Sequence, residues 1–259
     1  MNNYFRKISI FLSTCWYLYR QHSSIESNKT GSSIAWIYIT PIIPLGFYVG
    51  VGYATGYQGV GNLSKLTYSC IGISLWLLFT SAVAVSMTSI VDVVKNSERH
   101  ELRPEAFLLI NIQPELFNFL IRSVVTVTII YLFTKDHLNF SLTAIAITVC
   151  CVMIFIGLGL LFGLINLAVP NFSKIIKIGL QYGIFFSGAI FPIPNIGFLS
   201  HISLFNPFYN AIELIRSMFV GQDFEVFQIG SFSILFSFML SVWGFISFLK
   251  FKTYGVGRL

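Results

Sequence analysis

The chain has 259 residues, 55% of them apolar and only 10% charged, with a formal net charge of +6. Soluble domains carry about 25% charged residues, so this composition excludes a soluble enzyme or binding module and indicates a polytopic membrane protein. The basic residues are spread over short loops, so the positive charge is not a nucleic-acid signature.

In chain order, residues 2–22 read as an amphipathic helix lying on the membrane. Arg6, Ser13 and Arg20, with Lys7, Thr14 and Gln21, make a polar stripe away from Phe5, Ile8, Leu12, Trp16 and Tyr19. Arg20 and Gln21 follow the apolar run and no small-residue cleavage site does, so it is not read as a signal peptide. A polar link, 22–32, leads to a first span at about 33–54, with Pro41, Pro44 and many aromatics. A second span is expected at about 66–91. Residues 92–115 form the most charged piece of the chain, divided by Pro104 and Pro114. The third span, about 116–134, carries Arg122, which either snorkels to an interface or faces protein.

Lys135, Asp136 and His137 read as a tight turn. The fourth span, about 141–169, carries Gly157, Gly159 and Gly163. The fifth, about 175–192, carries Gly179 and Gly183; both glycine sets permit close helix contact within the chain. From Ile178 to Ile212 no charged residue occurs. That run is roughly 50 Å as helix against a hydrocarbon core of ~30 Å, so one straight span cannot use it all. Pro192 and Pro194 mark a break. Asn206 then reads as an N-cap, Pro207 as the first helical residue and Gly221 as a stop. Glu213 and Arg216 are spaced to pair. This short helix is either interfacial or half of a re-entrant hairpin buried in protein. The sixth span is expected at about 226–249, followed by Lys250, Lys252 and Arg258.

Charge asymmetry orients these spans. Arg6, Lys7, Arg20, Lys29, Lys95, Arg99, Arg103, Lys174, Lys177, Lys250, Lys252 and Arg258 fall on one side; Lys65, Lys135 and Arg216 fall on the other. By the positive-inside rule both termini are cytoplasmic and residues 193–225 lie outside. The expected fold is therefore an all-α integral membrane protein of six transmembrane helices. An N-terminal interface helix precedes them, and an outer-side re-entrant hairpin lies between spans five and six.

Chemistry is sparse. The Gly59–Lys65 stretch lacks the Gly-Lys-[Ser/Thr] ending of a phosphate loop. Four histidines lack metal-ligand spacing, and no catalytic carboxylate cluster appears, so no catalytic residue, metal or cofactor is expected in this chain. Cys15, Cys70, Cys150 and Cys151 read as buried free thiols. Arg122 is the only intramembrane charge, which disfavours ion coupling and points to a partner as the energy source. The 92–115 segment, with Glu98, Arg99, Glu101, Arg103 and Glu105, is either a solvated loop or a docking surface for that partner. Trp36, Tyr38, Phe47, Tyr48 and Trp76 either pack and anchor or line a pore.

The segments FFSGAIFPIP and NPFYNAIELIR resemble the last third of polysaccharide-export permeases, the membrane subunits of ABC transporters for capsule and O-antigen chains. The matching positions are Ser187, Gly188, Phe191, Pro192, Asn206, Pro207, Ile212, Glu213 and Arg216. The resemblance implies a homodimer in the bacterial cytoplasmic (inner) membrane, working with two copies of a separate ATPase that holds ATP and magnesium. It implies a lipid-linked polysaccharide as substrate, docking through 92–115, and a gate at Phe191, Pro192, Asn206, Pro207, Glu213 and Arg216. A permease for teichoic acid, drugs or haem shares the same expected fold. A membrane enzyme acting on polyprenyl-linked sugars, or an ion-coupled flippase, fits the residues less well.

Overall fold

The computed structural model describes residues 39, 42–54, 63–96, 104–134, 136, 142–169, 171–193, 205–220 and 227–254. They form α1 (Ile42–Ala54), α2 (Lys65–Asn96), α3 (Pro104–Phe133), α4 (Leu142–Ala168), α5 (Phe172–Tyr182), a 3-10 helix (Gly183–Phe186), α6 (Pro207–Val220) and α7 (Phe227–Tyr254). The expected interface helix at 2–22 lies outside the described residues.

Among the described residues, four helices are long and apolar enough to cross a membrane, within α2, α3, α4 and α7. The described parts of the first and fifth expected spans are shorter. Helix α1 has 13 residues and α5 has 11, roughly 20 and 16 Å at 1.5 Å per residue. The fifth expected span is thus not one straight helix: α5 tightens into the 3-10 turn and ends at Gly188. The break expected from Pro192 therefore comes earlier, at Gly188 (φ 65), where a left-handed conformation suits a residue without Cβ.

A second correction concerns 92–115. Helix α2 continues to Asn96, and α3 starts at Pro104 and runs through Pro114. Proline loses one backbone hydrogen bond but is tolerated where neighbouring groups hold the helix. Here Asn111 Nδ2, one turn before Pro114, donates to Ser89 Oγ (3.0 Å) and Asp92 Oδ2 (3.2 Å) of α2.

Helix α2 is the centre of the bundle. In its most apolar window 72% of residues are buried, against 17% in α3 and 28% in α7. Its hydroxyls do not disturb this, because Thr80, Ser81, Ser86, Thr88 and Ser89 bond carbonyls one turn back in the same helix. Helix α3 runs antiparallel to it. Ser74 and Thr126 share a hydrogen bond of 2.8 Å, and Thr67 donates to Thr134 at 3.3 Å. Asp136 accepts from the Ser64 backbone N–H at 3.1 Å, and Ser64 Oγ in turn accepts the Thr67 N–H at 3.2 Å, capping α2.

Helix α4 runs parallel to α2. Phe79 and Phe155 rings lie 4.7 Å apart. A Cβ on Gly159 would sit 2.4 Å from the Val83 carbonyl oxygen, and one on Gly163 2.7 Å from an Ile90 side-chain carbon. On its other side α4 meets α7, where a Cβ on Gly157 would be 2.0 Å from Ser241 Oγ and one on Gly244 2.1 Å from the Gly157 carbonyl oxygen. Small residues allow backbones to approach this closely, the packing device used where lipid supplies no hydrophobic drive between helices.

Helices α4 and α7 are also parallel, so the chain between them must return to its starting end. Residues 172–190 make that return. Phe172 meets Phe162 at 6.0 Å, Gly183 lies against Trp76, and Ser69 Oγ donates to the Ile190 carbonyl at 2.7 Å. Against the rise of α2, this ascent covers about 25 Å.

The glycine contacts yield a direct test. Gly159→Ala is expected to cost about 1–3 kcal/mol by overpacking, seen as a lower melting temperature of the detergent-solubilised protein. Gly179→Ala, where nothing lies within 4 Å, is expected to be neutral or stabilising by up to about 1 kcal/mol. Equal melting temperatures for the two variants would contradict the α2–α4 contact.

Candidate functional site

The site is assembled from three separated pieces of chain: the turn after the 3-10 helix, α6, and the start of α2. Ser187 shapes the turn. Its Oγ donates to the Ile184 carbonyl at 2.8 Å and accepts the Ala189 N–H at 3.3 Å. Gly188 follows in the left-handed region, where an added Cβ would also lie 2.8 Å from ring carbons of Tyr209. Ala189 and Ile190 are buried, while Phe191 and Pro192 are half-buried, Phe191 against the core.

Asn206 and Pro207 start α6 as their types predict. Asn206 Oδ1 accepts the Phe208 N–H at 3.0 Å, and its Nδ2 donates to the Phe186 carbonyl at 3.1 Å. Phe208 stacks on Phe155 at 4.4 Å and lies 5.0 Å from Trp76. Two turns on, Arg216 lies against Tyr68 and Gly72. Along α2, Trp76 is eight residues from Tyr68, about 12 Å. Helix α6 thus begins deep in the bundle and rises toward the end where α2 begins. Asn210 Nδ2 ties it to α7 through Ser233 Oγ at 2.7 Å.

Arg216 is the largest fully buried side chain, 2% exposed. Its Nη1 donates to Glu213 Oε1, and its Nη2 donates to the Gly188 carbonyl at 3.1 Å. Its guanidinium carbon lies 3.6 Å from the Tyr68 ring centroid, a cation–π contact. The Tyr68 hydroxyl donates to the same Glu213 Oε1 at 2.7 Å. The space exists because position 72 is glycine; a Cβ there would be 2.1 Å from Arg216 Nη2. A charge buried this far needs a paired opposite charge and hydrogen bonds; Nη1 and Nη2 have acceptors, while Nε has none among the described residues. The cluster supplies a carboxylate, a ring face and a carbonyl. It works as a lock that joins α6, α2 and the Ser187–Ile190 turn.

Glu213 and Arg216 pair as their spacing predicts, with the arginine on the inner side of α6 beside Ile212 and Ile215. Tyr68 and Gly72 complete the site with the Gly188 carbonyl; Gly188 belongs to the export-like segment, but Tyr68 and Gly72 carry no signal of this in the sequence, since Tyr68 is 145 residues from Glu213. Among the pore aromatics, Phe47 is exposed and meets Tyr48 edge-on at 5.3 Å, Tyr48 packs on the core, and Trp76 is buried. Trp76 is therefore a packing residue here. Trp36 and Tyr38 lie outside the described residues, as do Glu98, Arg99, Glu101 and Arg103; Glu105 falls in the first turn of α3. Cys70 and Cys151 are buried thiols, but Cys150 is exposed on the outer face of α4. Among the described residues, no three His, Cys, Asp or Glu cluster to hold a metal ion.

Arg122 faces protein instead of snorkelling. It is 5% exposed in the middle of α3, and its Nε and Nη2 have no hydrogen-bond partner among the described residues.

Comparison with known proteins places residues 14–220 within the family described as ABC-2 type transporter. No curated protein matches the chain.

Two outcomes test the electrostatics. Breaking the buried pair with Arg216→Gln alone should cost about 3–5 kcal/mol, more than replacing both Glu213 and Arg216 with Gln. A double-mutant cycle on folded yield reads the coupling, and strict additivity would dissolve the lock. Arg122→Met, by contrast, removes an unsatisfied buried cation and should leave the melting temperature unchanged or raise it. A fall of more than about 3 °C, near 1 kcal/mol for a chain of this size, would show that the guanidinium has a partner.

Proposed function

The chain belongs to the ABC-2 type transporter family, and from that premise we propose that it exports a lipid-linked polysaccharide of the capsule or O-antigen type. It is a multi-pass membrane subunit of a transporter, not an enzyme, and its ATPase is a separate subunit. The finer reading is a homodimer in the bacterial cytoplasmic membrane, served by two ATPase copies that hold ATP and magnesium. Both termini are cytoplasmic. Six crossings are reached by counting the α1 region and the broken 172–190 ascent, and α6 is the rising arm of a re-entrant hairpin.

The observation that carries this reading is the joining of the two export-like segments. Ser187-Gly188 and Asn206 to Arg216 are far apart in sequence, yet Arg216 bonds the Gly188 carbonyl and Asn206 bonds the Phe186 carbonyl. Their resemblance to polysaccharide exporters thus falls on one lock and not on two unrelated pieces. Its position in the bundle also fits a gate. Helix α3 runs unbroken from Pro104 to Phe133. A push on its charged end reaches Thr134 and Asp136, which hold the first turn of α2 beside Tyr68. ATP-driven motion at one face is transmitted in this way to the lock near the other.

The coupling segment gives the test. Reversing the charges of Glu98, Arg99, Glu101 and Arg103 is expected to reduce co-purification of the ATPase at least about tenfold, the effect of losing ~1.4 kcal/mol of contact, while the permease keeps its yield and melting temperature. Undiminished co-purification and normal surface polysaccharide in that variant would remove both the docking segment and the transmission route.

A further inference from the structure

One side of the lock is left open. Glu213 Oε1 takes two donors, from Tyr68 and Arg216. Its second oxygen receives no hydrogen bond from any described residue, and the Glu213 side chain keeps 19% of its surface accessible. One turn earlier on α6, Tyr209 stands against Gly188, half-buried, with its hydroxyl unbonded among the described residues. Positions i and i+4 share a helix face. An open carboxylate oxygen and an open phenol are therefore neighbours. Phe185 and Phe186, in the 3-10 turn just before Gly188, and Phe205, just before α6, are exposed. Phe186 is held at this place by its carbonyl bond to Asn206.

We propose that Tyr209 and Glu213 form a docking lip for the hydroxyl groups of a passing sugar chain. The inference rests on the glycan-export reading above and adds the residues that touch the polymer. The chemistry selects this occupant. The charge of Glu213 is balanced by Arg216, so the open oxygen acts as a hydrogen-bond acceptor and not as a free anion seeking a cation. A phosphate or acidic headgroup finds only the Tyr209 hydroxyl as a donor, no cation that Glu213 does not already pair, and a carboxylate beside it. A hydrocarbon tail would leave both polar groups unsatisfied. A pyranose supplies what is missing: hydroxyl donors for Glu213, a hydroxyl partner for Tyr209, and apolar C–H faces for the exposed rings. Two hydrogen bonds and a ring contact hold a sugar loosely, as a conduit requires if the chain is to move on.

Two measurements test this in cells that make the polysaccharide and carry the partner ATPase. Tyr209→Phe removes a hydroxyl with no described hydrogen-bond partner in the protein, so its yield and ATPase binding should match wild type. The export rate should fall about tenfold, the weight of one lost hydrogen bond. Second, Phe186 replaced by photo-reactive p-benzoylphenylalanine should form an adduct that glycosidase treatment shortens, whereas the same group at Met239, 70% exposed on α7, should capture only lipid. Wild-type export by Tyr209→Phe would overturn the proposal, and so would capture at Phe186 of only phospholipid or a second copy of this chain. Loss of the ATPase separates the two readings. If glycan export continues without it, the function proposed above fails; if export stops but the lip variants are silent, only the lip does.

Discussion

A buried guanidinium sets the terms for the end of the bundle where α2 begins. Arg216 cannot sit inside an apolar bundle unless its charge is balanced and its terminal nitrogens find acceptors; both do, and only its Nε has no partner among the described residues. Each requirement fixes a different part of the chain. Glu213 must be one turn back on the same helix, Tyr68 must present its ring from α2, and Gly188 must aim a carbonyl inward. The last needs the left-handed turn that Gly188 adopts. Glycine at 72 then leaves the room that the guanidinium occupies. One long polar side chain thus dictates a turn, a missing side chain and the seat of a helix.

The bundle that receives this lock is held by close backbone contact. Helix α4 presents glycine to α2 on one side and to α7 on the other. In lipid, helices gain little by hiding apolar surface from each other, so contact depends on shape and on satisfied polar groups. The glycines supply the shape. The hydroxyls of α2 are mostly spent on their own helix, and the few that reach out, at Ser69, Ser74 and Thr67, fasten the ascent and α3. The result is a rigid α2–α4–α7 block with a shared direction, beside which the broken ascent and α6 are fitted.

That arrangement places firmness and compliance in different elements. The long helices have regular ladders. Residues 172–193 pass from α-helix to 3-10 helix to a turn, and this piece and the start of α6 depend on side-chain bonds from Ser187, Asn206 and Arg216. A change of conformation costs least where the backbone is held by a few replaceable side-chain bonds and not by a continuous helix. The lock is thus a contact made of a few side-chain bonds, placed where the backbone is least continuous.

Much of this was legible in the sequence because it depends on composition and local order. Low charge and long apolar runs identify a membrane protein, Asn206-Pro207 marks the start of α6, and the Glu213–Arg216 spacing predicts their pairing. These signals act within one or two helical turns, so neighbouring letters carry them. The sequence alone put a division at Pro114 and the break after the fifth span at Pro192, whereas α3 runs through Pro114 and the backbone already turns at Gly188. Pro114 stays helical because Asn111 is held by α2, and the fifth segment breaks at Gly188 because Arg216 requires its carbonyl. Likewise the burial of Trp76 and of Arg216, and the part that Tyr68 and Gly72 take in the site, come from the tertiary structure. Each of these depends on what a distant segment brings to the same depth, a quantity set by packing in three dimensions and absent from any stretch of neighbouring residues.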